Sequence, residues 1–394
     1  MLELGEWLNL AIRWLHLTAG IAWIGSSFYF VWLDNHLKPP AQGGASGELW
    51  SVHGGGFYHN QKYQVAPPQM PAELHWFKWE AYFTWISGFS LLVVIYYFGA
   101  QSFLIDPAKA ALTPAQAIGT GLASLASGWI FYDLLCRSPL GRHNRIVGVL
   151  WFLFLLAAAI LLDHLLNARA AYIHVGAMMG TVMAANVFFI IIPNQRKVVA
   201  DLVAGRQPDP ALGAAGKRRS LHNNYMTLPV LFIMISHHYP MTYGAERPWL
   251  VLALVGLTGV AVRHIFNLRH RAANLRLAIV TAVVLAYVTV AYVSIEKEAR
   301  AGTSVAGANV TGADIQPILT TRCASCHSAR PANPAFSSPP LGIVLDDYDD
   351  ARAYAERIKR TAVDSESMPL GNATGMTSEE RVRLGAWIDG GMPK

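Results

Sequence analysis

In the stretch "TTRCASCHSARP", Cys323, Cys326 and His327 stand in the order C-x-x-C-H. Thiols two residues apart can add to both vinyl groups along one haem edge, and the imidazole that follows is placed to take the iron. A zinc half-site would need two further Cys or His nearby, and the remaining cysteine, Cys136, lies far upstream. A thiol–disulfide pair would need a βαβ setting, which the flanking sequence lacks. The spacing therefore predicts one covalent haem c with His327 as an axial ligand. Iron of this kind in an electron carrier usually takes a thioether as its sixth ligand, which raises the potential. Met368, in "SESMPLGN", lies between a predicted helix and a glycine-bearing turn, so it can swing over the haem face. Met376 is the second choice, because Thr377 and Glu380 form a capping box just behind it. Met392 comes third.

The elements that must carry these ligands are short. "DIQPILTTRCASCH", "YDDARAYAERIKRTA" and "TSEERVRLGAWIDGG" read as three helices, with Leu384, Trp387 and Ile388 on one face of the last at i, i+3, i+4. A unit this small can hardly bury a core of its own, and a covalent haem supplies apolar bulk. Residues 314–394 are accordingly expected to form a small class I cytochrome c domain. Residues 296–313, "EKEARAGTSVAGANVTGA" in small-residue composition, read as a flexible linker.

Residues 1–295 have a different character. The chain is 53% hydrophobic and only 14% charged, with 12 Trp, which is the profile of a membrane protein. Eight apolar runs, near Trp7–Leu33, Trp76–Phe98, Pro114–Cys136, Ile146–Leu162, Ala168–Ile192, Tyr225–Tyr239, Trp249–Phe266 and Leu277–Ile295, approach the length needed to cross a hydrocarbon core of about 30 Å. The expected fold is all-α, a polytopic helical bundle of about eight spans followed by the cytochrome domain. Haem is attached to C-x-x-C-H outside the cytoplasm, so the tail belongs on the periplasmic side of a bacterial inner membrane, and eight spans place the N-terminus there too. "MLELGEW" lacks the positive start of a cleaved signal, so the first span is expected to be retained. Cytoplasmic loops should then be rich in Lys and Arg. The loops after the odd-numbered runs hold thirteen, six of them between Arg196 and Arg219; the opposite loops hold Lys109, Arg169 and Arg247. The net charge of +6 is therefore a topology signal, and a nucleic-acid partner is not expected; membrane lipid is.

Two groups of residues in this part could do chemistry. His16 and His174 lie well inside their runs, nine residues after Trp7 and six after Ala168. At 1.5 Å per residue both sit roughly 9 to 14 Å below the outer surface. Matched imidazoles at that depth could bind a second, non-covalent haem b, with Arg13, one turn from His16, pairing a propionate; they could equally hydrogen-bond across helices. The second group belongs to the cytoplasmic side. The loop "WSVHGGGFYHNQKYQVAPPQMPAELHWFKWEAYF" ends with His75, Lys78 and Glu80, and "SLHNNYMTLP" brings His222, Asn223 and Tyr225 to the start of the sixth run. Rings to stack, Lys for charge and His or Glu for protons would suit a planar anionic heterocycle.

Taken together, "WLHLTAGIAWIGSSFYF", "GGGFYHNQKY", "LHWFKWEAY", "HNNYMTLPVLF" with "SHHYP", and "CASCH…MPLGNATGM" resemble the bacterial membrane-bound urate oxidases, the PuuD-type urate hydroxylases. The resemblance covers nearly the whole chain. It implies oxidation of urate to 5-hydroxyisourate, with electrons leaving through the fused haem to a downstream cytochrome c or terminal oxidase. No G-x-G-x-x-G follows a strand, so nothing points to a flavin or nicotinamide domain. The runner-up is a respiratory electron-transfer subunit with a fused cytochrome c and no urate chemistry. A transporter with a redox tail would want an inverted repeat, and none is evident.

Overall fold

The structure is a computed structural model; it describes residues 4–41, 44–64, 66–269, 275–302 and 310–394. Each of the eight apolar runs falls largely within one long helix. These are α1 Leu4–His36, α2 Trp79–Tyr97, α3 Pro114–Arg137, α4 Asn144–Leu165, α5 Ala168–Val203, α6 Pro210–Ser236, α7 Pro248–Leu268 and α8 Leu275–Gly302. Among the described residues, five of them are long and apolar enough to cross a membrane: α2, α4, α5, α7 and the Leu275–Glu296 part of α8. The other three are long but more polar. α1 carries Glu6, Arg13 and Asp34, α3 is rich in Gly and Ser, and the first half of α6 contains "KRRSLHNN".

α5 is the central helix, with 61% of its most apolar window buried, whereas α8 has 6% of its window buried and packs mainly on α7. The main core runs from Leu92 and Tyr97 on α2 through Leu125 and Tyr132 on α3 and Trp151 on α4 to Met178 and Val182 on α5. Glycine permits the closest crossing. A Cβ at Gly128 of α3 would lie 2.2 Å from Met178 of α5. π-helical turns interrupt two helices, α2 at Leu92–Tyr97 and α5 at Asn186–Ile191. Such turns re-aim the side chains that follow them and are frequent at functional sites.

One expectation is corrected between α1 and α2. The fold is not all-α, because this loop holds an antiparallel hairpin of β1 Gly47–His53 and β2 Gly56–Lys62, with His53 opposite Gly56. Gly54 and Gly55 both have positive φ, the two-residue turn that matches strand twist. Trp50 stacks on His59 across the strands at 4.2 Å. Read in sequence, the glycines looked like loop; their adjacency was the hairpin signal.

The tail forms its own helical unit with a separate core. α9 Gly312–Ile318 continues through a π turn, Leu319–Cys323, into Ala324–His327. The middle helix comes as Tyr348–Ala353, Ala355–Ile358 and a π turn to Asp364; α10 is Ser378–Asp389. Leu384, Trp387 and Ile388 are buried as their spacing predicts, and Thr377 caps α10 by accepting the Glu380 N–H. The expected linker is partly helical. α8 runs on to Gly302, residues 303–309 lie outside the described residues, and α9 starts at Gly312.

The tail is seated on the membrane-type helices. A Cβ on Gly371 would lie 2.6 Å from the Ile105 carbonyl oxygen, and one on Gly244 would lie 2.0 Å from that of Ser365. Phe103 meets Phe336 with ring centroids 6.3 Å apart. The segments after α2, after α4 and after α6 therefore share one end of the bundle with the tail, as alternating spans require. We term this the tail end and the opposite one the far end.

Candidate functional site

In the tail, the π turn ends at Cys323 and the next turn presents Cys326 and His327. His327 Nδ1 lies 3.1 Å from the Ile343 carbonyl and donates to it, which fixes the ring and leaves Nε2 free. Burial keeps this imidazole below its ordinary pKa, so it is a neutral donor at neutral pH, and burial pushes the Cys323 thiol up to about 11. Asn333 donates to Cys326 Sγ at 3.5 Å. Met368, like Cys323, lies partly buried at the rim of the tail core, whereas Met376 is buried inside it at 3% exposure. Arg381 of α10, itself buried, donates to the Met368 carbonyl at 2.6 Å and so holds that loop in place. Among the described residues no three His, Cys, Asp or Glu side chains converge as a metal-holding group. A haem asks for an imidazole and a thioether instead, and the donors here fit one.

A cavity of about 400 Å³ lies between α1, α2, α5 and α6. Its walls are mostly apolar, including Trp23, Phe89, Leu92 and Ile233, but Arg13, His16, Arg169, His237 and His238 also line it. His16 Nδ1 is 3.0 Å from the Thr84 carbonyl and 3.1 Å from Ser87 Oγ, and donating to the carbonyl leaves Nε2 unprotonated. Gly88 makes room for this ring, since a Cβ there would meet it at 2.8 Å. The sequence paired His16 with His174; the structure places His174 elsewhere. His174 is fully buried, with Nδ1 2.8 Å from the Ala170 carbonyl and Nε2 3.4 Å from the Tyr97 hydroxyl, and it does not line the cavity. His237 and His238, with centroids 3.9 Å apart, share the cavity with His16 and Arg13 instead. Arg169 also belongs here, with a buried Nε that has no partner.

Toward the far end the polar side chains form a belt. The Tyr132 hydroxyl lies 2.7 Å from His222 Nδ1, and His222 Nε2 lies 3.2 Å from Asn144 Oδ1. Asn186, on the π turn of α5, donates to Asn223 Oδ1 at 2.8 Å and accepts from Arg219 at 3.1 Å. Arg219 also pairs with Asp133 at 2.6 Å and lies over the rings of Trp129 and Tyr132. Tyr225 and His264 are 2.7 Å apart. His222 and Asn223 are thus joined in one network through Tyr132 and Asn186, whereas Tyr225 pairs separately with His264. His75, Lys78 and Glu80 are not joined to either by any hydrogen bond or ring contact among the described residues. His75 is exposed against Phe77, Lys78 lies over Trp79, and Glu80 Oε2 is buried without a partner. Their neighbours Ala81 and Tyr82 pack on Val187 and Ile192, beside the π turn that carries Asn186. The sequence reading passed over Arg219 and Arg263. Arg263 stands in the apolar run "LTGVAVRHIF", and a charge inside such a run is a site signal in itself.

With that geometry in view, the chain's kinship is informative. The urate oxidase N-terminal family model matches residues 3–294, and the chain belongs to that family. The match spans α1 to α8, including the cavity and the polar belt, and stops before the tail. Neither a curated protein nor a solved structure matches the chain.

Proposed function

We propose that this protein oxidises urate to 5-hydroxyisourate and passes the electrons to a haem c on its own tail. The family match over residues 3–294 carries the substrate, and C-x-x-C-H in a seated tail carries the acceptor. Urate plus water gives 5-hydroxyisourate, two electrons and two protons. Water supplies the oxygen, so the reaction needs an electron acceptor and no dioxygen. The polar belt offers what the substrate half requires: Tyr225 with His264 to take a proton, and His222 and Asn223 to orient ring edges. His75, Lys78 and Glu80 stand at the far-end approach.

The tail is read as a small class I cytochrome c domain, with Cys323 and Cys326 tethering the haem and His327 and Met368 as axial ligands. Its haem accepts one electron at a time when bound. The chain is read as eight spans in a bacterial inner membrane, with tail and N-terminus periplasmic and a downstream cytochrome c or terminal oxidase as outlet. The sequence distribution of Lys and Arg supports that orientation.

Far end and tail end are separated by a hydrocarbon core of about 30 Å. A non-covalent haem b suits the cavity between them. Its apolar wall matches the macrocycle, His16 Nε2 is a free donor, and Arg13 with Arg169 can pair two propionates. The second imidazole, expected from sequence to be His174, would on this reading come from His237 or His238, which line the cavity with His16. Acid–acetone extraction should release one haem per covalently held one, and His16→Ala should lose it; active enzyme with nothing extractable would remove this assignment.

The function is tested by adding urate to purified protein under argon. Full reduction of the haem c band is expected. Turnover that requires oxygen and releases stoichiometric peroxide would overturn the reading. The respiratory-subunit alternative predicts no reduction by urate at all.

A further inference from the structure

Arg263 is an arginine whose charge nothing in its surroundings balances. It is 5% exposed, and no carboxylate pairs with it among the described residues. Its Nε donates to Asn224 Oδ1 at 3.0 Å, and its guanidinium carbon lies 3.9 Å from the centre of the Phe28 ring. One terminal nitrogen, Nη2, is buried with no partner. Asn224, 3% exposed, also accepts from Asn267 Nδ2 at 2.9 Å, which leaves Asn224 Nδ2 and Asn267 Oδ1 buried and unpaired as well. Thus two donors and one acceptor are left unsatisfied around one buried cation.

Local packing builds this arrangement. Gly259 lets α7 approach α6 until a Cβ there would lie 3.2 Å from Leu228 and Pro229. One turn further along each helix, Arg263 faces Asn224. Phe28, on α1, supplies the aromatic surface on which a guanidinium is well placed. A buried charge without a counter-ion and three unpaired polar atoms are each costly, and a purely structural cluster gains nothing from them. Two other buried or half-buried Arg residues are balanced: Arg219 has Asp133, and Arg322 has Glu380.

We infer that Arg263, Asn224 and Asn267 form the clamp that binds the urate anion. Urate is a flat monoanion whose rim alternates carbonyl oxygens with N–H groups. Its anionic edge can accept from Arg263 Nη2 and Asn224 Nδ2, while an adjacent ring N–H donates to Asn267 Oδ1. Both halves of that pattern are needed, because an inorganic anion would leave Asn267 Oδ1 unpaired. Tyr225, next to Asn224 in sequence, and its partner His264, next to Arg263, flank the clamp and place a proton acceptor beside the bound ring. Asn267 is half-buried and His264 exposed, so the approach is from the far end. Thr227, one turn above Asn224, lines the cavity floor, so the clamp abuts the proposed electron route. The inference rests on the reading of the chain as a urate oxidase.

The test uses the full-length protein with its covalent haem and follows anaerobic haem c reduction at graded urate concentrations. Asn267→Asp keeps the side chain's size and gives Arg263 an internal counter-ion in exchange for the hydrogen bond that Asn267 Nδ2 donates to Asn224. It is expected to keep or raise the thermal midpoint and raise the urate KM on the order of 10- to 100-fold, the loss that follows from competition for one charge-assisted bond. Arg263→Gln should raise KM at least as far. If wild-type protein is reduced by urate while Asn267→Asp shows an unchanged KM, the clamp is wrong and the function stands. If urate reduces no form of the protein, the function fails and the clamp with it. Asn267→Asp with unchanged KM and raised stability would identify the cluster as structural.

Discussion

Met368 and Met376 differ in where their side chains end, and that difference separates ligand from core. Met368 lies at the rim of the tail core with its carbonyl held by Arg381, and Met376 lies inside at 3% exposure. Met368→Ala should retain covalent haem, lose the thioether–iron absorption band and lower the potential. Met376→Ala should keep the band and destabilise the tail by about 2–5 kcal/mol, the cost of truncating a buried Met. Spectra and thermal melts of both variants decide the assignment; the reverse pattern would make Met376 the ligand. Arg219 invites a second comparison. Its side chain is 6% exposed and its partner Asp133 14%, and Asp133 also pairs with Arg137 at 2.6 Å, so Arg219→Ala removes one of the two partners of a largely buried carboxylate. A loss of about 1–3 kcal/mol is expected in denaturation of the detergent-solubilised protein, because Asp133 and Asn186 each lose a charge-assisted hydrogen bond while Arg137 still balances the carboxylate.

At the scale of elements, the seating of the tail depends on two glycines. Gly371, with φ of 61°, approaches the Ile105 carbonyl, and Gly244 approaches that of Ser365. Both contacts are backbone on backbone, so any side chain there must displace a main chain. Gly371 lies three residues beyond Met368, so the loop that carries the thioether is the one that touches the bundle. Gly244→Ala should therefore slow haem c reduction by urate severalfold in stopped-flow, with covalent haem content and equilibrium potential unchanged. An unaltered rate would show that electrons do not cross at this seating. The π turns act on the same scale. One aims Tyr96 at the cavity and the other turns Asn186 toward Asn223.

For the whole molecule, the proposed chain of sites runs from a substrate clamp at the far end, through the cavity, to the tail. On the proposed orientation the far end faces the cytoplasm, where purine breakdown would supply urate and the Lys- and Arg-rich loops would attract the anion. Right-side-out vesicles given external urate should then show little haem reduction, and inverted vesicles should show it fully. Equal rates in both would move the urate site to the tail end, beside Arg169 and His237.

What the sequence determined by itself was whatever depends on neighbours along the chain. C-x-x-C-H, the cap at Thr377, the face of Leu384, Trp387 and Ile388, and the placement of eight long helices all follow from spacing within a few turns. The pairing of Arg13 with His16 on one wall was legible for the same reason. The hairpin was not, because a Gly-rich polar stretch reads as loop, whereas the positive φ of Gly54 and Gly55 makes it a tight turn. The remainder was decided in three dimensions. His16 shares its cavity with His237 and His238 and not with His174, although helix depth alone matches His174 equally well. Depth is fixed by counting residues, but which face of α5 turns to the cavity is fixed by how Gly121 and Gly128 let α3 cross it, with Gly88 of α2 making the room for His16. The cluster of Phe28, Asn224, Arg263 and Asn267 joins α1, α6 and α7 across more than two hundred residues of chain. No local pattern encodes such a meeting; only packing brings the unbalanced charge to the atoms that it leaves unsatisfied.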